Sequence, residues 1–96
     1  MKVAVRLGDA AFDTWVRKTL DENQFVVVEA ISDAAVLVAD REGAEQFLGP
    51  PTSLLYVGKG WPAGMSRPDA VMAPHPDRDG FIRRLSMAVA RRARKA

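Results

Sequence analysis

The chain has 96 residues, of which 48% are hydrophobic and 27% charged, and it contains no cysteine. This length predicts one domain over residues 1–96, and the lack of cysteine excludes disulfides and thiolate metal ligands. No apolar run approaches the roughly 18 residues that a membrane span needs, and the N-terminus lacks a signal peptide's apolar stretch, so we expect a cytoplasmic protein without membrane contact.

The first two predicted elements are a strand and an amphipathic helix. In residues 2–7, Val3, Val5 and Leu7 alternate with Lys2, Ala4 and Arg6, and this period of two indicates a strand. Apolar side chains then recur at helical spacing from Ala10 to Glu22, which predicts a helix that Asp9 caps. Asp13 stands four residues before Arg17, the favourable order for an ion pair on a helix.

The rest of the chain alternates between short apolar runs and breaks rich in glycine, proline and aspartate. Beta-branched residues and continuous apolar runs are typical of buried parallel strands. The last helix carries an apolar stripe that predicts docking on the sheet, formed by Phe81, Ile82, Leu85, Ala88 and Val89. The predicted elements are strands over 25–30 and 34–39, a short helix over 41–48, strands over 53–57 and 69–73, and a final helix after Asp77.

This order of elements predicts an α/β fold with three layers built on a five-stranded, mostly parallel sheet. Three residues, 31–33, separate the second and third strands, whereas a parallel crossover needs about a dozen. Either these two strands form a hairpin, or part of one of them is the connection. In both cases a helix between the second and third strands is missing.

Five short strands that end near Asp, Gly or Pro, followed by a Pro-containing turn and an amphipathic helix, resemble the receiver domain of bacterial response regulators. The resemblance covers nearly the whole chain and implies a flavodoxin/CheY-like fold. Gly8 and Asp9 fall where that family keeps an acidic pair, and Asp40 falls at its phospho-accepting aspartate. Gly58 falls at the family's Ser/Thr position, and Pro74 falls in its Lys-Pro motif.

The chain departs from that family where phosphoryl transfer needs specific groups. Mg²⁺ requires several oxygen ligands, and Gly8 replaces one of the two metal-binding acids. The phosphate-binding lysine and hydroxyl are also absent at their positions. The resemblance therefore implies a non-catalytic pseudo-receiver in bacterial signalling, without a cofactor, which acts by phosphorylation-independent contact with another protein or as a homodimer. Asp40 is then a vestigial phospho-acceptor that caps the next helix.

Charge is distributed unevenly along the chain, since residues 78–96 carry a net +6 and residues 1–77 a net −4. Arginine suits phosphate and guanine, and this segment is similar to arginine-rich C-terminal segments through which some receiver-like proteins bind cyclic di-GMP. The alternative function is therefore a sensor of a cyclic dinucleotide or another phosphate ligand, although the helix dipole favours the same charges without any ligand. The candidate binding residues are Arg84, Arg91, Arg92 and Arg94, with Arg6 or Arg67 as additional contacts. Arg84, Arg91, Arg94 and Lys95 are placed opposite the apolar stripe. Replacing Arg91, Arg92 and Arg94 with alanine leaves that stripe intact and is therefore expected to change stability little.

Three positions outside the last helix have distinct interpretations. Arg6 alternates with the apolar residues of the first strand, and no helix is predicted after the second strand. Because an unpaired arginine on a covered sheet face would be costly, these two features predict an open face beside the first strand. Trp61, in a loop rich in glycine and proline, is either an exposed interface anchor or a lid on a small core. His75, the sole histidine, is interpreted as a turn residue, since a metal or catalytic site needs partners.

Overall fold

The computed structural model describes the backbone of residues 1–95 and the side chains of residues 1–93. The strands are β1 (Lys2–Arg6), β2 (Val26–Val27), β3 (Val36–Ala39), β4 (Ser53–Val57) and β5 (Ala70–Met72), and the helices are α1 (Ala10–Glu22), α2 (Arg41–Ala44) and α3 (Arg78–Lys95). The strands form one parallel sheet in the order β2-β1-β3-β4-β5. This is the flavodoxin-like order, and it confirms the predicted α/β fold with a sheet that is parallel throughout.

The segment between β2 and β3 was predicted to be either a hairpin turn or a connection that includes part of a strand. β2 pairs with one side of β1 and β3 with the other, both in parallel, so the hairpin alternative is wrong. Of the predicted strand over 25–30, Val26–Val27 pairs with β1, and residues 28–35 are the connection. They cross only about 10 Å, two strand spacings, because β1 lies between the two strands. The connection contains a 3-10 turn, Ile31–Asp33, and no α-helix.

α1 begins and is stabilised as its sequence predicts. The Asp9 carboxylate caps the helix by accepting a hydrogen bond from the Phe12 N–H at 3.1 Å. Arg17 Nε donates to Asp13 Oδ1 at 2.6 Å, and this hydrogen bond raises the pKa of the Arg17 guanidinium. Within residues 1–95, no helix combines the length and the apolar character that crossing a membrane requires.

α3 docks on one face of the sheet through the predicted apolar stripe. Phe81, Leu85 and Ala88 are fully buried, while Ile82 and Val89 pack at the edge of the same cluster. Helix α1 covers the rest of this face, and the side chains that it buries there are Phe12, Val16 and Leu20. Two long amphipathic helices therefore form one complete outer layer.

Short elements cover the opposite face of the sheet. Ala4 and Tyr56 are buried there in one cluster with Ile31 of the 3-10 turn and Ala44 of α2. The prediction of an open face beside β1 is therefore wrong, because Ala4 has no exposed surface. Helix α2 ends at Ala44, so the helix predicted over 41–48 is one turn long. This second outer layer is consequently thin.

Candidate functional site

The positions that carry the receiver resemblance meet at the carboxyl ends of the strands. A cavity of about 300 Å³, the carboxyl-edge cavity, is lined by Asp9, Asp40, Pro74 and His75 among others. The chain leaves β1 toward one face of the sheet and β3 toward the other at this point. Open α/β sheets bind their ligands at such a switch point, so the topology alone would suit an active site.

Asp40 is held at both of its carboxylate oxygens by backbone N–H groups. Oδ1 accepts a hydrogen bond from Gly43 N–H at 2.9 Å, which caps α2. Oδ2 accepts one from Gly8 N–H at 2.7 Å, which ties down the loop after β1. Gly43 itself sits so close to β1 that a Cβ atom there would lie 2.1 Å from the Arg6 carbonyl oxygen. The predicted capping role of Asp40 is therefore confirmed, and its carboxylate has a second structural bond.

The other positions that carry the receiver resemblance are also engaged in packing or capping contacts. A Cβ atom at Gly58 would lie 2.8 Å from the ring of Tyr56, so Tyr56 fills the space that a Ser or Thr side chain would need. Asp9 Oδ2 lies 3.8 Å from His75 Nε2, and the His75 ring packs on Phe12 with ring centroids 5.0 Å apart. His75 lies between β5 and α3 with φ of 58°, which agrees with its interpretation as a turn residue.

The carboxylates of the carboxyl-edge cavity do not form a metal-binding cluster. Within the described residues, no group of three or more His, Asp and Glu side chains is arranged to hold a metal ion. Asp9 and Asp40, the two acids that the resemblance singles out, both cap helices. What this arrangement provides is a rigid edge in which two carboxylates fix α1 and α2 to the ends of their strands.

A second concave surface lies at the opposite, amino edge of the sheet. This groove of about 510 Å³ is called the arginine groove because Arg67 and Arg92 both line it. Its walls are residues 47–50 after α2, Leu54 in β4 and residues 65–69 before β5. The volume is within the range of small-molecule sites, about 300–1,000 Å³.

Arg92 reaches into this groove and forms an ion pair with Asp69. Arg92 Nη2 lies 2.8 Å from Asp69 Oδ2, and the side chains are 22% and 1% exposed. The same Asp69 oxygen accepts a hydrogen bond from Leu54 N–H at 2.8 Å. The guanidinium also stands 5.9 Å from the centre of the Phe47 ring, within cation–π range. The last turns of α3 are thus tied to β4 and to the segment before β5.

The arginines of α3 do not form a single patch. Arg84 is exposed and Arg91 is half-buried, whereas Arg92 lies on the buried face of the helix. The side chain of Arg94 lies outside the described residues. Since the charge of Arg92 compensates the buried Asp69 carboxylate, we now expect replacing Arg92 to lower stability, in contrast to the expectation from the sequence.

The two additional arginines lie in different places. Arg67 is exposed and shares the arginine groove with Arg92. Arg6 lies at the carboxyl edge, where its guanidinium donates to the Val5 carbonyl at 3.0 Å, to Gln46 Oε1 at 3.1 Å and to the Glu29 carbonyl. The structure therefore brings Arg67, and not Arg6, together with Arg92.

Trp61 is exposed, with 43% of its surface accessible, and it lies outside the two hydrophobic clusters. The alternative in which Trp61 covers the core is therefore wrong. An exposed aromatic side chain in a loop is available for contact with another molecule.

Asp69 and Phe47 are the residues of the arginine groove that the sequence interpretation missed. Phe81, Leu85, Ala88 and Arg92 follow one another at spacings of four, three and four residues, which places Arg92 on the buried stripe. A charge at such a position requires a buried partner. That signal calls for an acid elsewhere in the chain, although it does not identify Asp69.

The sequence was also compared with known proteins. No protein-family model matches it, and no curated protein matches it.

Proposed function

We propose that this chain is a non-catalytic pseudo-receiver, a cytoplasmic regulatory domain of bacterial signalling that contacts another protein independently of phosphorylation. The observation that carries the proposal is the hydrogen bonding of the Asp40 carboxylate. Both of its carboxylate oxygens accept backbone hydrogen bonds, at 2.7 and 2.9 Å. A phospho-accepting carboxylate has to attack phosphorus with one oxygen and carry the phosphoryl group, and here that would release either α2 or the loop after β1.

The surroundings of Asp40 support the same proposal. The ring of Tyr56 occupies the space beside Gly58 where a hydroxyl side chain would hold the phosphoryl group. Asp9 is engaged as the cap of α1. The flavodoxin-like strand order is compatible with the proposed receiver scaffold, and Asp9 and Asp40 at the carboxyl edge hold helices in place.

Helix α3 and the loop of residues 58–64 each expose one large apolar side chain, which supports both as contact faces. Trp61 in this loop is 43% exposed, and Met87 on α3 is 46% exposed. Tryptophan and methionine are enriched at protein–protein interfaces, and tryptophan is frequent among the residues that dominate binding energy. We propose these two faces, with the Trp61 loop as the one tested first, as the sites of contact.

Homodimer formation is the form of this contact that can be measured with the purified protein alone. We expect sedimentation velocity to detect a concentration-dependent dimer, and Trp61→Ala to raise its Kd at least about tenfold, because buried aromatic anchors carry much of an interface's energy. Acetyl phosphate with Mg²⁺ should leave the Kd unchanged.

Val26→Ala is the matched control for this experiment. Val26 is 54% exposed, but it belongs to β2, at the sheet edge opposite β5. Equal weakening by both variants would contradict the proposed surface. Dimers that form only after acetyl phosphate is added would contradict a function independent of phosphorylation, and a wild type that stays monomeric would remove the homodimer.

The second candidate function is a sensor of a phosphate-bearing ligand such as a cyclic dinucleotide. The observation that favours it is the arginine groove, in which Arg67 and Arg92 line one concave surface. Arg92 is paired with Asp69, so Arg67 is the residue whose charge is available to an anion. Electrostatic attraction at an exposed arginine weakens as salt rises, which gives such binding a recognisable signature.

A further inference from the structure

One exposed apolar side chain lies among arginines on the side of α3 opposite its buried stripe. Met87 is 46% exposed. Arg83 stands four residues before it, Arg84 three before it and Arg91 four after it, and residues at these spacings are neighbours on a helix surface. Arg83 and Arg84 are exposed, and Arg91 is half-buried. These four residues form the outer face of α3, on which an apolar centre is surrounded by positive charge.

The arginines of the outer face are not compensated by acids of the same helix. Residues 80–96 contain neither Asp nor Glu. Asp79 stands four residues before Arg83 but does not pair with it, and within the described residues none of the three arginines forms an ion pair. The positive charge of the outer face is therefore available to the carboxylates of a partner.

The helix dipole does not explain all of this charge. It favours cations only near the C-terminal turn of a helix. It therefore accounts for the basic end of α3, but not for Arg83 and Arg84, which lie in the N-terminal half of the helix. These two arginines are the ones for which a partner supplies the better explanation.

We propose that the outer face of α3 binds an acidic helix of a partner protein. A large apolar side chain of that helix packs on Met87, and carboxylates three and four residues to either side of it pair with the arginines. The lengths match, because Arg83 and Arg91 are eight residues apart, about 12 Å along a helix, and carboxylates at the same spacing on the partner span the same distance. This inference rests on the proposed function and gives the chemistry of the partner.

Met87 favours a protein over the other anionic surfaces that arginines attract. A phosphate backbone would pair with the arginines but would leave the apolar side chain between them in water. An anionic membrane binds helices that insert a whole apolar face, whereas Met87 is the one large apolar side chain exposed on the described part of α3. An acidic helix with a central apolar residue matches both the charge and the apolar centre.

A synthetic helical peptide of about 15 residues is the probe for this face. It is rich in alanine, the strongest helix former, and carries one central leucine with glutamates three and four residues to either side. In the comparison peptide, glutamine replaces every glutamate. We expect fluorescence anisotropy at low salt to show at least about fivefold tighter binding of the glutamate peptide, because several exposed ion pairs each contribute a modest gain. Rising salt should remove this difference, since it screens exposed charges.

Variants of the protein locate the binding site. Arg83→Gln combined with Arg84→Gln should weaken binding of the glutamate peptide at least about threefold. The matched control is Lys18→Gln combined with Arg41→Gln, which removes the same charge at exposed positions of α1 and α2 and should weaken binding less than about twofold. Met87→Ala should weaken binding at least about threefold, because it removes the apolar contact.

Three results would overturn this inference. Equal losses in the two double variants would show that the peptide responds only to net charge. Equal affinities for the glutamate and glutamine peptides would exclude an acidic partner. If an oligo(dT) of the same charge binds more tightly than the glutamate peptide, with an affinity that Met87→Ala leaves unchanged, the outer face is a nucleic-acid surface. Homodimer formation through Trp61 is measured separately, so the proposed function stands if only this inference fails.

Discussion

Replacing Leu85 with alanine is expected to lower the free energy of unfolding by about 2–5 kcal/mol, the range measured for buried leucines. Leu85 is fully buried in the cluster that α3 shares with the sheet. Its removal takes several apolar contacts away and leaves a cavity that the surrounding rigid strands fill only in part. Urea unfolding followed by circular dichroism measures the change.

Met87→Ala is the control on the same helix. Met87 is 46% exposed, and surface substitutions of this kind usually change stability by no more than about 0.5 kcal/mol. A Leu85→Ala effect as small as that of Met87→Ala would contradict the docking of α3. The fold would then lack the outer layer that holds β4 and β5.

Replacing Arg92 with methionine is expected to cost about 3 kcal/mol. Removing one partner of a buried ion pair leaves the other charge uncompensated, which costs about 3–5 kcal/mol. The lower end applies because Arg92 keeps 22% of its side chain exposed, whereas Asp69 keeps 1%. Methionine keeps the apolar stem of the side chain and removes the guanidinium, so the loss reports mainly the ion pair, together with the contact on the Phe47 ring.

Two further variants separate this pairing from a general effect of arginine removal. Arg84→Met, at an exposed position of the same helix, should change stability by no more than about 0.5 kcal/mol. The double variant Asp69→Asn with Arg92→Met should lose less stability than the sum of the two single variants, because residues in one ion pair couple. Strictly additive losses would show that the two charges do not interact.

Local patterns predicted the elements whose boundaries depend on nearby residues. The helix from Ala10 to Glu22 and the strand over 53–57 agree with the structure at both ends, since caps and turn residues mark them. Val28 still donates its N–H to the Val3 carbonyl at 2.9 Å, but Glu29 and Ala30, which the same predicted strand included, lie outside β2. Their path depends on β3 joining the far side of β1, a contact between distant parts of the chain that no local pattern encodes.

The carboxyl-edge cavity and the arginine groove also differ in how far the sequence predicts their contacts. The cap at Asp40 was predictable because it bonds to Gly43, three residues away. The bond from Gly8 to Asp40 joins two loops at the ends of neighbouring strands, and parallel pairing makes such proximity expected. Asp69 and Arg92, in contrast, meet only because α3 runs back to the amino edge. Helical spacing places Arg92 on the buried side, but the identity of its partner depends on the complete fold.

Intact-mass analysis after incubation with acetyl phosphate and Mg²⁺ tests the central claim most directly. The claim is that Asp40 is a structural residue, bonded at both oxygens to Gly43 and Gly8, and that the chain works without phosphorylation. We expect wild type and Asp40→Asn each to give only its own unmodified mass. A stoichiometric gain of one phosphoryl group in the wild type, absent from Asp40→Asn, would contradict it.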